Sequence, residues 1–301
     1  MMKRLTLAFL LLALLMYLSI GIYFAFEIVA FQTRTLEQDK VYHRFRSFSQ
    51  LKLPENAKEV FIESSGIKLA GSYFEKSSSD CGIIYNHGYS GTRYHMYKYA
   101  YIFEKYNCHE IYLDARHHGK SEGKYGTFGY HEKNDLLNVS TYLQKKAGLK
   151  TKRIAFVGVS YGASISLQAV GKSKEMFWFV LADSPYKDMK SILTEQALKR
   201  YPIYIQFSAP AAFFFASLFA DFRPDEVSAE KLASDIHCPV LIIHSNSDVY
   251  TLPYHSKVIF QNLKHPKSKL LLTDWNAVHG KSMQARPEQY KMEVQQFVDS
   301  L

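Results

Sequence analysis

The sequence predicts an α/β architecture around a largely parallel sheet, preceded by a helix able to cross a membrane. Three observations carry this reading. Short apolar runs alternate with helical patterns from Glu59 to the C-terminus, as expected for layers of strand and helix. Most of those runs are continuously apolar, as strands covered on both faces are. The segment Leu5 to Phe26 carries no charge, and at about 1.5 Å per residue it reaches across a hydrocarbon core of about 30 Å.

A chain of 301 residues, 47% hydrophobic and 22% charged, is long enough to bury a large core and too apolar for a disordered protein. Its formal charge of +9 comes from Lys and Arg scattered among acidic residues, with no basic block or zinc-finger spacing. No nucleic-acid partner is expected; a basic surface suited to anionic lipid or an anionic substrate is. Cys81, Cys108 and Cys238 show no CxxC spacing, which argues against a zinc or redox motif. No metal and no organic cofactor are expected.

Taken in order, residues 1–31 form a membrane anchor. The apolar run exceeds the core of a secretory signal, about 7 to 15 residues, and EIVAFQTRT follows it without a clear cleavage site, so an uncleaved anchor is expected. Lys3 and Arg4 favour a cytoplasmic N-terminus against the competing Arg34, Lys40, Arg44 and Arg46, which puts the bulk of the chain on the extracytoplasmic side. A polar linker covers 32–54, and residues 55–301 form the α/β domain. EVFIES (59–64) and IKLAGSYF (67–74), joined by Ser65 and Gly66, read as a hairpin. CGIIYNHG (81–88), EIYLDAR (110–116), RIAFVGV (153–159), FWFVLAD (177–183), VLIIHSN (240–246) and KLLLTDW (269–275) read as buried strands. Helices are expected at about 94–105, 131–147, 161–171, 254–263 and 284–300.

From about 186 to 235 the alternation stops. The run YPIYIQFSAPAAFFFASLFADF (201–222) is long enough for a second membrane span, but it holds Pro202, Gln206 and Pro210 and lies between two strands of one sheet. An inserted helical cap is the better reading, since long insertions in compact domains tend to be lids. Its aromatics, Tyr201, Tyr204, Phe207, Phe213, Phe214, Phe215 and Phe219, suit an acyl or other apolar group, and equally suit packing of the cap itself.

Chemistry enters at Gly158-Val-Ser160-Tyr-Gly162, a G-x-S-x-G pattern between a predicted strand and a predicted helix. A sharp strand-to-helix turn lifts the serine hydroxyl above the sheet edge, where side chains two positions to either side would collide. A serine attacks only when a base takes its proton and an acid orients that base. Asp248 follows VLIIHSN and His279 follows KLLLTDW, both just past carboxyl ends of strands, the edge where open α/β sheets assemble sites. Asp183 is a second candidate acid, and Asp274 lies near the base in sequence. Backbone N–H groups of Tyr161, in the elbow, and Tyr89, in His87-Gly-Tyr-Ser-Gly91, are the candidate oxyanion donors. His87, beside that loop, is expected to make a structural hydrogen bond.

With these residues in place the chain resembles the α/β-hydrolase superfamily, and within it the serine-aminopeptidase-like branch that includes BEM46-like membrane-anchored hydrolases and protein depalmitoylases. The resemblance spans Val60 to Leu301 and rests on HGYSG, LDARHHGKSEG, GVSYGA, HSNSD and AVHG in this order. It implies an eight-stranded, mostly parallel sheet with helices on both faces and a helical cap after the sixth strand. It also implies Ser160 as nucleophile, His279 as base and Asp248 as acid, with Tyr89 and Tyr161 as oxyanion donors. The family's D-x-R-G-x-G-x-S run reads Asp114-Ala-Arg-His117-His-Gly119-Lys-Ser121 here, with His117 where glycine is usual, and the surroundings of His279 are poorer in glycine than is common. The third and fourth strands are neighbours in this fold, which brings Cys81 and Cys108 together at their starts as a pair able to bond in an extracytoplasmic domain.

The expected activity is hydrolysis of an ester, thioester or amide through an acyl-enzyme, on a small-molecule or acylated substrate, by a protein held to membrane lipid through its N-terminal helix. Two alternatives stand beside it: a catalytically silent fold used as a membrane-tethered binding or scaffolding module, and an acyltransferase with the same triad.

Overall fold

In the computed structural model of this chain, residues 2–44 and 57–301 are described. The apolar N-terminal run forms α1 (Met2–Val29), and the start of the expected linker forms α2 (Leu36–Arg44). That second helix opens on a capping box: Gln38 Oε1 accepts from the Thr35 N–H at 2.9 Å and Thr35 Oγ1 from the Gln38 N–H at 3.2 Å. The remainder of the expected linker (45–54, with Arg46) and the first two residues of the expected α/β domain lie outside the described residues.

The hairpin is β1 (Lys58–Ser64) and β2 (Ile67–Phe74), followed by β3 (Gly82–Asn86), the short α3 (Ala100–Phe103) and β4 (His109–Leu113). Then come α4 (Glu132–Ala147), β5 (Ile154–Val159), α5 (Tyr161–Lys172) and β6 (Val180–Asp183). The cap follows β6 as expected, with α6 (Met189–Arg200), a 3₁₀ turn at Ile203–Ser208, α7 (Ala209–Ala220) and α8 (Ala229–Leu232). The chain closes with β7 (Val240–Ser245), α9 (Tyr254–Asn262), β8 (Lys269–Thr273), α10 (Ser282–Ala285) and α11 (Pro287–Asp299). The eight strands lie in the order β1-β2-β4-β3-β5-β6-β7-β8, antiparallel among β1, β2 and β4 and parallel from β4 to β8.

Two expected helices differ. The 284–300 helix is split, because Pro287 opens α11 and the residue before it, Arg286, is drawn out of helical geometry (φ −143°, ψ 70°). The 94–105 helix is wound as 3₁₀ turns on either side of α3, with Thr92 Oγ1 capping its start.

Strand period two divides the core between the sheet's faces. Ile84 of β3 joins the layer of α4, α5, α9 and the cap, while Ile83 and Tyr85 join α3 and α11 on the opposite face. Each such side chain contributes about 1.5–3 kcal/mol by leaving water. Cys81 and Cys108, at the starts of β3 and β4, are joined as a disulfide with Cα atoms 4.7 Å apart, and Cys238 is a buried thiol.

One buried carboxyl gives the fold a pH dependence. Glu110 in β4 accepts from Tyr85 Oη (2.9 Å) and Tyr112 Oη (3.2 Å), and burial pushes its pKa up to about 7 against those hydrogen bonds. The folded value lies above the unfolded one of about 4.3, so this stabilisation is complete below about pH 4 and is lost as pH rises through the folded pKa. Thermal unfolding between about pH 5 and about pH 8 is expected to show a fall in Tm that is shallower in Glu110→Gln; equal slopes would contradict this assignment.

Candidate active site

Ser160 lies at the junction of β5 and α5 with φ 53° and ψ −112°, a region L side chains avoid. Neither flanking glycine can be replaced without a clash. A Cβ on Gly158 would lie 2.5 Å from the carbonyl carbon of Gly162, and one on Gly162 would lie 2.1 Å from the carbonyl oxygen of Asn86. The turn is also tied to the next strand, since the Ser160 N–H donates to the Asp183 carbonyl at 2.7 Å.

The structure brings Ser160, His279 and Asp248 into one chain of hydrogen bonds. His279 Nε2 is 2.7 Å from Ser160 Oγ, and His279 Nδ1 is 2.7 Å from Asp248 Oδ2. The other carboxylate oxygen, Asp248 Oδ1, accepts from the N–H groups of Tyr250 (2.9 Å) and Thr251 (3.0 Å), which fixes the direction of Oδ2. Burial would raise the Asp248 pKa, but hydrogen bonds and charge from His244 and His279 outweigh it and hold the carboxyl well below the ordinary range. An acid so placed stays ionised beside the imidazole throughout the neutral range. The Tyr250 ring covers His279, its centroid 4.9 Å away.

Tyr89 and Tyr161 line the same pocket as Ser160. Neither N–H meets an acceptor among the described residues. Gly88 brings the first of these loops close: a Cβ there would lie 3.8 Å from Ser160 Cβ. The other singled-out residues serve elsewhere. Asp183 is buried and accepts from Tyr99 Oη (3.0 Å), Tyr290 Oη (3.0 Å) and Ser184 Oγ (2.9 Å), and Asp274 Oδ1 accepts from Asn246 Nδ2 (2.8 Å). His87 is fully buried, with Nδ1 2.8 Å from the Gly88 carbonyl and Nε2 accepting from the Ala115 N–H at 3.0 Å, so it braces the loop that carries Tyr89.

The pocket beside Ser160 has a volume of about 270 Å³. Tyr201, Ile205, Ala212 and Phe213 of the cap form one wall, and Phe24, Glu27 and Ile28 of α1 form another. The cap aromatics therefore divide: Tyr201 and Phe213 line the pocket, Phe215 and Phe219 pack against the core, and Tyr204, Phe207 and Phe214 face outward.

The chain after α1 is locked to the same region. Phe31 is buried with its ring 4.3 Å from that of Tyr89, and its carbonyl lies 2.9 Å from His117 Nε2. Thr33 Oγ1 donates to the His117 carbonyl (3.1 Å), and the Arg34 N–H donates to the Ser90 carbonyl (3.1 Å). Asp39 is buried, pairing with Arg34 Nε at 2.6 Å and accepting from the Thr92 N–H and Oγ1 at 3.0 and 2.8 Å. The departure at His117 thus has a local use: the residue keeps the left-handed φ (68°) that suits glycine, while its imidazole and carbonyl both hold the docked segment.

Sequence reasoning missed three contributors. His244, the last-but-one residue of β7, has Nε2 2.8 Å from the Thr251 carbonyl and 3.3 Å from Asp248 Oδ2. Lys98 is buried, with its ammonium donating to the Gly280 carbonyl (3.2 Å) next to His279, and burial pushes its pKa down to about 7. Phe31 is the third: it reads as the last residue of the anchor, and an apolar residue there carries no sign that it docks beside Tyr89.

The matched family model is that of the prolyl oligopeptidase family, over residues 120–301, a stretch that includes Ser160, Asp248 and His279. The chain is 27% identical over 291 residues to the uncharacterized protein YqkD of Bacillus subtilis (strain 168), covering 94% of this chain and 93% of that one. The solved esterase Pf2001 of Pyrococcus furiosus superposes with a TM-score of 0.67 at 26% identity, covering 81% of this chain and 91% of its own. The acylaminoacyl peptidase of Pyrococcus horikoshii shares the fold, with a TM-score of 0.59 at 17% identity over 81% of this chain and 41% of its own.

Proposed function

This chain belongs to the prolyl oligopeptidase family, within the α/β-hydrolase superfamily, and from that premise we propose that it cleaves an ester, thioester or amide through an acyl-enzyme formed on Ser160. The observation that carries the proposal is the pair of 2.7 Å contacts on either side of the His279 imidazole. Ser160 Oγ attacks the carbonyl carbon while its proton passes to His279 Nε2, and Asp248 stabilises the imidazolium. The tetrahedral oxygen takes hydrogen bonds from the N–H groups of Tyr161 and Tyr89, helped by the N-terminal dipole of α5. Collapse expels the alcohol, thiol or amine, which receives the proton from His279. Water, deprotonated by the same imidazole, then releases the acid and restores Ser160.

The apolar cap and the α1 wall favour an acylated or small apolar substrate, and Pf2001, an esterase, supports the ester reading. We read α1 as a membrane span with residues 29–40 docked onto the 55–301 hydrolase domain. The Cys81–Cys108 disulfide favours the extracytoplasmic side for that domain, since disulfides persist in oxidising compartments.

A panel of p-nitrophenyl esters, acyl thioesters and aminoacyl amides presented to the detergent-solubilised full chain tests the reading. Turnover of at least one class is expected, and it should be absent from folded Ser160→Ala. Failure of the folded wild type on every class would overturn the proposal.

A further inference from the structure

The helices α1 and α7 lie side by side, close enough that a Cβ on Gly21 would fall 2.5 Å from Ala211 Cβ. Phe26 stacks on Phe219 with centroids 4.9 Å apart, and Phe24 meets Tyr201 edge-on at 5.0 Å. Helix length sets the depth of this contact. A span that starts at Leu5, just after Lys3 and Arg4, covers a core of about 30 Å only on reaching about Phe24, at about 1.5 Å per residue. Gly21 then lies about 4.5 Å inside the hydrocarbon, and any tilt of α1 carries it deeper. Ala211 shares that depth.

The outward side of the cap matches such a setting. Ile203, Tyr204, Phe207, Phe214 and Leu218 are exposed, Phe207 by 80%, and no charged residue occurs from Tyr201 to Ala220. Charges bracket the run, with Lys199 and Arg200 before it and Asp221 and Arg223 after it. A contiguous apolar surface of this kind marks an interaction face. It does not cross the bilayer, because both ends of the cap return to the same sheet, at β6 and β7.

We propose that this cap face is immersed in the acyl chains of the leaflet adjoining the hydrolase domain, alongside α1, so that two elements hold the domain to the membrane. The pocket walled by Phe24 and Ile28 of α1 and Ile205 of the cap then opens at the bilayer surface. The inference rests on the reading of α1 as a membrane span, and the test separates the two.

Full-length protein carrying Leu12→Cys, Phe207→Cys, Phe214→Cys or Met176→Cys is labelled with bimane and reconstituted into phosphatidylcholine vesicles with or without brominated acyl chains. Cys238 is buried and Cys81 and Cys108 are bonded, so the label goes to the introduced thiol. Bromolipid is expected to quench position 207 to an extent comparable with position 12 and position 214, about one α7 turn from Ala211 toward the domain, more weakly, and to leave exposed position 176, at the amino-terminal end of β6 opposite the site, unquenched. Quenching at 12 alone would overturn the immersed cap and leave the span standing. Quenching at none would overturn both. Crosslinking between copies through 207 without quenching there would assign the face to a second copy and also overturn the proposal.

Discussion

Ser160→Ala is expected to lower kcat/KM by about 10⁶, His279→Ala by about as much, and the double substitution by little more than either. The hydroxyl and imidazole share one proton across 2.7 Å, so removing either abolishes the same step and the second loss finds nothing left to remove. What remains, about 10³–10⁴ over the uncatalysed reaction, comes from substrate binding and the N–H groups of Tyr89 and Tyr161. Steady-state kinetics on the four proteins, each shown to be folded by its melting transition, reads this directly. Losses that multiply in the double variant would mean that Ser160 and His279 act in separate steps.

Asp248→Asn is expected to lower kcat by about 10⁴, because an amide in place of Oδ2 no longer fixes the imidazole tautomer or stabilises its charge. Asp183→Asn should stay within about tenfold in kcat while losing about 1–3 kcal/mol of stability, as its oxygens take hydrogen bonds from three buried hydroxyls. The two aspartates thus separate activity from stability. If Asp183→Asn were the more damaging to kcat, the acid role would pass to it.

Much of the fold was legible because its signals are local. Strands β3 to β8 are short apolar runs ended by turn residues, and a glycine two positions to either side of Ser160 announces a turn that no other residue fits. Asp248 and His279 were legible by position, each just past the end of a strand. Two local signals went unread: the Thr35-x-x-Gln38 box that starts α2, and Pro287, which ends one helix and begins another.

The rest depends on contacts distant in sequence. Nothing near Phe31 indicates that its carbonyl will meet His117, 86 residues on, or that Asp39 will hold Thr92, 53 residues away. The cap aromatics are equally opaque. Phe213 and Phe214 are neighbours of one type, and only the placement of α7 against α1 and the core sends one to the pocket and the other outward. Lys98 reads as an ordinary surface lysine until its buried ammonium is found on the loop of His279.

The central claim, that Ser160 is made nucleophilic by His279, is tested most directly by a fluorophosphonate probe on the folded full-length protein, with the adduct located by peptide mass spectrometry. One phosphonyl group per chain is expected on the peptide that carries Ser160, with labelling lost in Ser160→Ala and strongly slowed in His279→Ala. A folded wild type that takes no label, or an adduct on any other residue, would contradict the account.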